Sequence, residues 1–219
     1  MSTFIAPRGG NIEVICGPMF SGKSEELIRR LRMALIARQR VQVFKPTIDR
    51  RYADEELVSH SHFRISACCV ENSEQIMDAL DLRTDVVGID EVQFFDDAVV
   101  DVCEKLADMG KRVIVAGLDT DYLGKAFKPI PELMAVAEFV TKSLAVCMRC
   151  GAPANRSQRL LGGAGLVEIG SSESYEARCR RCFEPEAARQ LELAAFRESA
   201  MAVPRRQDGA GNGAGESGQ

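Results

Sequence analysis

An α/β fold with a mostly parallel sheet and a small second domain is what this 219-residue sequence predicts. Three observations carry that reading. Continuous apolar runs alternate with stretches of helical spacing from Asn11 to about Cys147, the pattern of parallel strands buried on both faces. A glycine-rich stretch, "GPMFSGKS" (17–24), joins the first run to the first helical stretch. Past Cys147 the long apolar runs stop, and cysteine pairs and glycine-rich turns replace them.

The elements follow in order. "NIEVICG" (11–17) reads as a buried strand. Leu27, Ile28, Leu31 and Leu35 recur at three- and four-residue spacing and predict a helix from Gly22 to about Arg38. "VQVFKP" (41–46) is a second strand, and the polar stretch 47–62 reads as a loop. "FRISACCV" (63–70) alternates weakly, as a strand does. Asn72 or Ser73 can cap a short helix over "EQIMDAL". "DVVGIDE" (85–91) is the clearest strand, followed by a helix from Asp96 or Asp97 to Met109. "KRVIVAGL" (111–118), a short helix over 132–137 and a strand "EFVTKSLAVC" (138–147) close the block. Parallel sheets bind ligands beyond the carboxyl ends of their strands. Residues 17–24, the pair Asp90 and Glu91, and 118–122 all follow strands, so three motifs converge on one edge.

The expected division is a nucleotide-binding domain over 1–146, a zinc-binding domain over 147–183 and a helical extension over 184–203. A tail over 204–219, with five glycines after residue 208, is expected to be disordered. Net charge is −4, which argues against nucleic acid as the main partner. No apolar run approaches the ~20 residues that span a bilayer. The N-terminus lacks the basic and apolar regions of a signal peptide, so a cytoplasmic location away from membranes is expected.

Gly17, Pro18, Met19, Phe20, Ser21, Gly22, Lys23 and Ser24 fit G-x-x-x-x-G-K-[ST], between a strand and a helix. Backbone N–H groups of such a loop hold phosphate oxygens, the lysine adds a point charge, and the serine can ligate Mg²⁺. The bland alternative is a glycine-rich turn with a solvated lysine. Asp90 ends its strand where a P-loop's Mg²⁺ partner stands, and Glu91 adds a second carboxylate. Such a glutamate can activate water in an ATPase or a hydroxyl in a kinase. Arg50 and Arg51 lie in a polar loop and read equally as phosphate contacts or solvated side chains. Phe94, Phe95, Tyr122, Phe127 and Tyr175 fall in loops or at element ends, and together can stack a planar base.

Cys147-x-x-Cys150 and Cys179-x-x-Cys182 offer four thiolates, the set that a structural Zn²⁺ favours. The 28 residues between the pairs (151–178) form a loop pinned at both ends. Cys16, Cys68, Cys69 and Cys103 are expected to be buried small apolar residues.

"GPMFSGKS", "GIDEVQFF", "GLDTDY…F", "AVCMRCG", "RSQRL" and "SESYEARCRRC" follow one another in an order that resembles the type II thymidine kinases, from about Asn11 to Cys182. The resemblance implies a RecA-like P-loop domain with a zinc domain and lasso loop, commonly assembled as a tetramer. It implies transfer of the γ-phosphate of ATP to the 5′-hydroxyl of thymidine, with Glu91 as general base. Lys23 and Ser24 would hold phosphates and Mg²⁺, Asp90 would support the metal, and Gln93 lies in the same motif. Asp49 and Arg51 match loop residues near the reacting phosphate. Met19, Phe94, Leu118, Tyr122, Phe127 and Tyr175 match positions around the nucleoside. Ser157 stands in the lasso where the family often has threonine, and Glu168, Ile169 and Gly170 fall in its base-reading part. Feedback binding of dTTP comes with the same resemblance. Glu25 and Glu168 depart from the family pattern. Two other readings stand beside it: a P-loop kinase for another nucleoside, and a zinc-ribbon ATPase acting on nucleic acid.

Overall fold

The computed structural model describes residues 9–47, 56–58, 64–160 and 174–185, with the backbone alone for 56–58 and 64. The elements are β1 (Asn11–Gly17), α1 (Lys23–Ile36), β2 (Val41–Pro46), β3 (Glu56–Val58), β4 (Arg64–Ser66), β5 (Cys68–Val70), α2 (Glu74–Asp78) and β6 (Val86–Ile89). A 3₁₀ turn (Val92–Phe94) leads to α3 (Val99–Asp108), β7 (Arg112–Leu118), α4 (Ile130–Val136) and β8 (Phe139–Lys142). Four short strands end the series: β9 (Ala145–Val146), β10 (Pro153–Ala154), β11 (Arg156–Arg159) and β12 (Tyr175–Arg178).

Six strands form one sheet in the order β5-β2-β6-β7-β1-β8. Every pairing in it is parallel. β1 lies inside, and all seven of its residues are buried. Its side chains alternate between two cores. Ile15 joins Val43, Ile114 and the α1 residues Leu27, Ile28 and Leu31 on one face. Ile12, Val14 and Cys16 meet α3 and α4 on the other, through Val102, Leu106, Ile130 and Leu133. Full burial of a leucine such as Leu27 or Leu31 stabilises by ~1.5–3 kcal/mol over leaving it exposed.

Glu13 is the one acid inside β1. Arg30 of α1 donates to its Oε2 at 2.8 Å and Arg112 of β7 donates to its Oε1. Arg30 also reaches Thr141 Oγ1 at 2.9 Å, so one guanidinium ties α1 to β1 and β8.

Several expected elements are shifted. Ala34 takes the inward position on the last turn of α1, and Leu35 is exposed. The stretch 63–70 is two strands: β4 pairs antiparallel with β3, inside the expected loop, and β5 joins the main sheet. The stretch 138–147 also divides, because the chain leaves the sheet after Lys142 and β9 pairs with β10 instead. Asn72 Oδ1 accepts the Gln75 N–H at the start of α2, while Ser73 turns to Asp96. Cys16 and Cys103 are buried as expected, but Cys68 is exposed and Cys69 half-buried, because β5 is an edge strand. The helix expected over 184–203 and the tail lie outside the described residues beyond Pro185.

Candidate active site

The loop 17–24 runs from the end of β1 into α1. Gly22 precedes the helix at φ 75°, a conformation that side chains resist. Lys23 Nζ and Ser21 Oγ both donate to the Pro18 carbonyl at 2.8 Å, which draws the loop into a cradle. Burial lowers the Lys23 pKa, against the opposing pull of Glu91 and Asp90.

β6 delivers the facing acids. Asp90 is buried, and its Oδ2 accepts from Ser24 Oγ at 3.0 Å. Burial, then the charge of Glu91, pushes the Asp90 carboxyl up to about 7. Two hard oxygens this close, from a hydroxyl and a carboxylate, fit a Mg²⁺ ion. Glu91 sits at φ 51°, in the left-handed region. Such strain in a residue bearing a carboxylate points to function. Its carboxylate accepts from Gln93 Nε2, and Gln93 Oε1 accepts from the Leu118 N–H at 3.0 Å. Gln93 therefore bridges the ends of β6 and β7. Gly117 makes room for it, since a Cβ there would lie 2.6 Å from Gln93 Oε1.

An apolar group lies beside these polar residues. Tyr122 and Tyr175 are buried together, with Met19 and Leu123 against them. The Met19 N–H donates to Ser157 Oγ at 3.0 Å, tying the loop 17–24 to β11. Phe94 and Phe127 meet edge to face, 6.1 Å apart at 87°.

The Sγ atoms of Cys147, Cys150, Cys179 and Cys182 all lie within 4.8 Å of one another. Cys150 and Cys179 are 3.7 Å apart, close to the ~3.8 Å edge of a tetrahedron with ~2.3 Å metal–sulfur bonds. Burial pushes the Cys147 thiol up, but backbone N–H groups of Cys179, Arg149 and Cys150 outweigh it and bring it down to about 6. A donor set of four sulfurs fits Zn²⁺ in a closed structural site.

A family profile described as Thymidine kinase matches residues 10–183. The chain belongs to the thymidine kinase family. A curated thymidine kinase from Rhodothermus sp. (strain ITI 518) is 58% identical to it over 188 residues, 84% of this chain and 88% of the relative. Among solved structures, the Legionella pneumophila ATPase DotB aligns over 60% of this chain and 35% of its own, at 16% identity and a TM-score of 0.37.

Within this thymidine kinase family chain, two groups of the expected residues are brought together. Lys23, Ser24, Asp90 and Glu91 come together at one sheet edge, with Gln93 bonded to Glu91. Met19, Ser157, Tyr122 and Tyr175 gather beside them. Phe95 leaves the expected aromatic set and packs in the core with Val92 and Val99. Asp49, Arg51, Glu168, Ile169 and Gly170 lie outside the described residues. Glu25 is exposed on the first turn of α1.

Two features escaped the sequence reading. Asp119, buried just after β7, pairs with Lys142 Nζ at 2.6 Å across the sheet edge. Arg159 is buried against Tyr122 and Tyr175. The only signal was "RSQRL", whose first four residues form β11 and include no apolar side chain that would announce burial.

Proposed function

We propose that this chain transfers the γ-phosphoryl group of ATP to the 5′-hydroxyl of thymidine, giving dTMP and ADP, and serves nucleotide salvage. The observation that carries the reading is the placement of Glu91 and Asp90 opposite Lys23 and Ser24, with an aromatic group next to them. The loop amides of 17–24 and Lys23 hold the phosphates of ATP. Ser24 and Asp90 hold Mg²⁺, which neutralises phosphate charge when bound. Glu91 takes the proton of the 5′-hydroxyl as that oxygen bonds to the γ-phosphorus and the bond to ADP breaks. Gln93 holds the Glu91 carboxylate through its side-chain amide. Met19, Leu118, Tyr122, Phe127 and Tyr175 form the nucleoside slot, with Ser157 bonded to the Met19 N–H and Phe94 packed on Phe127. Asp49 and Arg51 serve the reacting phosphates, and Glu168, Ile169 and Gly170 read the base.

Zn²⁺ on the four cysteines is structural and braces the segment 147–183. Water exclusion by that segment suits a kinase, because activated phosphate otherwise goes to water. Assembly as a homotetramer in the cytoplasm and feedback by dTTP belong to the same reading. Exposed Met33, Leu35 and Ile36 on α1 and Phe139 and Val140 on β8 support assembly.

The deciding experiment supplies ATP and Mg²⁺ with each natural nucleoside and measures monophosphate. Thymidine should lead and deoxyuridine should follow, since a missing methyl costs only ~1–3 kcal/mol. Deoxycytidine or deoxyadenosine turned over as well as thymidine would reject the reading.

A further inference from the structure

β11 carries no apolar side chain, yet Ser157, Gln158 and Arg159 are all buried. Arg159, at 1% exposure, is among the largest fully buried side chains. A buried cation is costly unless its neighbours compensate it. Two rings contribute here: the guanidinium carbon lies 4.9 Å from the Tyr122 ring centroid and 6.0 Å from that of Tyr175. Tyr175 is the cross-strand partner of Arg159 in β12. Tyr122 belongs to the loop after β7. One planar cation thus faces a ring from the cysteine-bearing hairpin and a ring from the loop after β7. Those two rings pack with Met19, from the loop 17–24.

We propose that Arg159 is a positioning residue of the nucleoside slot, holding the rings of Tyr122 and Tyr175 in one arrangement before substrate arrives. The substrate's identity rests on the kinase reading above; the ring arrangement rests on the geometry alone. Arginine suits this task because its flat, delocalised cation lies against aromatic faces, where lysine offers only a point charge. Ordering both walls in advance removes that ordering cost from nucleoside binding.

The chain has three tyrosines and no tryptophan, so its near-ultraviolet dichroism reads tyrosine with little interference. Tyr52→Phe gives the share of the third ring. In Arg159→Met, with far-ultraviolet signal and zinc content unchanged, the tyrosine band should fall by about half or more. KM for thymidine should rise roughly 10- to 30-fold, the size of one desolvated cation–π contact. KM for ATP should stay within about threefold. Arg159→Lys should fall between wild type and Arg159→Met. In a Tyr122→Leu background, adding Arg159→Met should raise KM for thymidine less than about threefold further, because the ring it acts through is gone. An unchanged tyrosine band would overturn the proposal. So would an equal rise in both KM values, or a full multiplicative effect in the Tyr122→Leu background. Should Arg159→Met not fold, Arg159→Lys decides by the same readouts, and wild-type values there overturn the proposal. Wild-type protein that turns over no thymidine would refute the kinase reading instead, and the tyrosine band would still decide the ring arrangement.

Discussion

Replacing Gly117 with alanine should disturb the site from behind. An added Cβ would lie 2.6 Å from Gln93 Oε1, 2.9 Å from Val92 Cγ1 and 3.0 Å from Ile130 Cδ1. Val92 and Ile130 are fully buried in the larger core. Gln93 cannot yield freely either, since one end accepts from Leu118 and the other donates to Glu91. Overpacking a core of this kind costs about 1–3 kcal/mol. If Gln93 gives way instead, the Leu118 N–H loses its acceptor, at about 1–3 kcal/mol for a buried donor. Either route gives a loss near 2 kcal/mol, which lowers Tm by about 4–8 °C in a chain of this size. Glu91 loses its amide partner, so turnover should fall about tenfold, the worth of a single hydrogen bond to a charged group. Thermal unfolding followed by circular dichroism, beside a thymidine turnover assay, measures both. Gln93→Ala makes room for the new methyl. The double variant should therefore cost at least about 1 kcal/mol less than the two single changes together. A Gly117→Ala protein that melts with wild type at full turnover would refute the reasoning, as would strict additivity.

Three further outcomes are expected. Glu91→Gln should lower turnover by roughly 10²–10⁴, the range for losing a general base, while ATP binding measured by calorimetry persists; near-normal turnover would remove Glu91 from that role. Wild-type protein should carry one zinc per chain by elemental analysis and Cys179→Ser well under one, with nucleoside binding weakened more than ATP binding; a zinc content untouched by the substitution would count against the centre. Burial pushes the Glu13 carboxyl up, but Arg112 and Arg30 outweigh it and hold it below the usual range. A lowered carboxyl contributes stability above its unfolded-state pKa and loses it as pH falls through the folded value. Glu13→Gln should therefore destabilise by about 1–3 kcal/mol at pH 7, with the gap closing below about pH 4. Equal melting of the two proteins at pH 7 would contradict the clasp.

The sheet was legible because β1, β2 and β7 are short, mostly apolar runs whose lengths leave little choice of element. The edge motif was legible for the same reason: Gly17, Asp90 and Leu118 each end or follow a strand, and parallel strands bring such ends together. The errors fall where local sequence does not choose between partners. Lys142 to Ala145 reads as one strand with its neighbours, yet the chain changes sheets there. The burial of Arg159 was not legible, because it depends on rings 37 residues upstream and 16 downstream. The pairing of Asp119 with Lys142 is likewise set by strand order, which no local pattern encodes.

The cysteine-bearing hairpin hangs from the sheet by a short bend after Lys142, and on chain length alone it resembles a cassette that could be exchanged between relatives. Its ties deny this. Ser157 accepts the Met19 N–H of the loop 17–24, Arg159 faces a ring from the loop after β7, and Phe183 closes on the turn at Gly124, where even a methyl would sit 3.0 Å from its ring. A chimera cut at the bend must therefore inherit both sides of three separate contacts. Crossover points that preserve function should fall elsewhere, ahead of β1 or beyond Glu184, whose backbone Gln158 clasps from both sides.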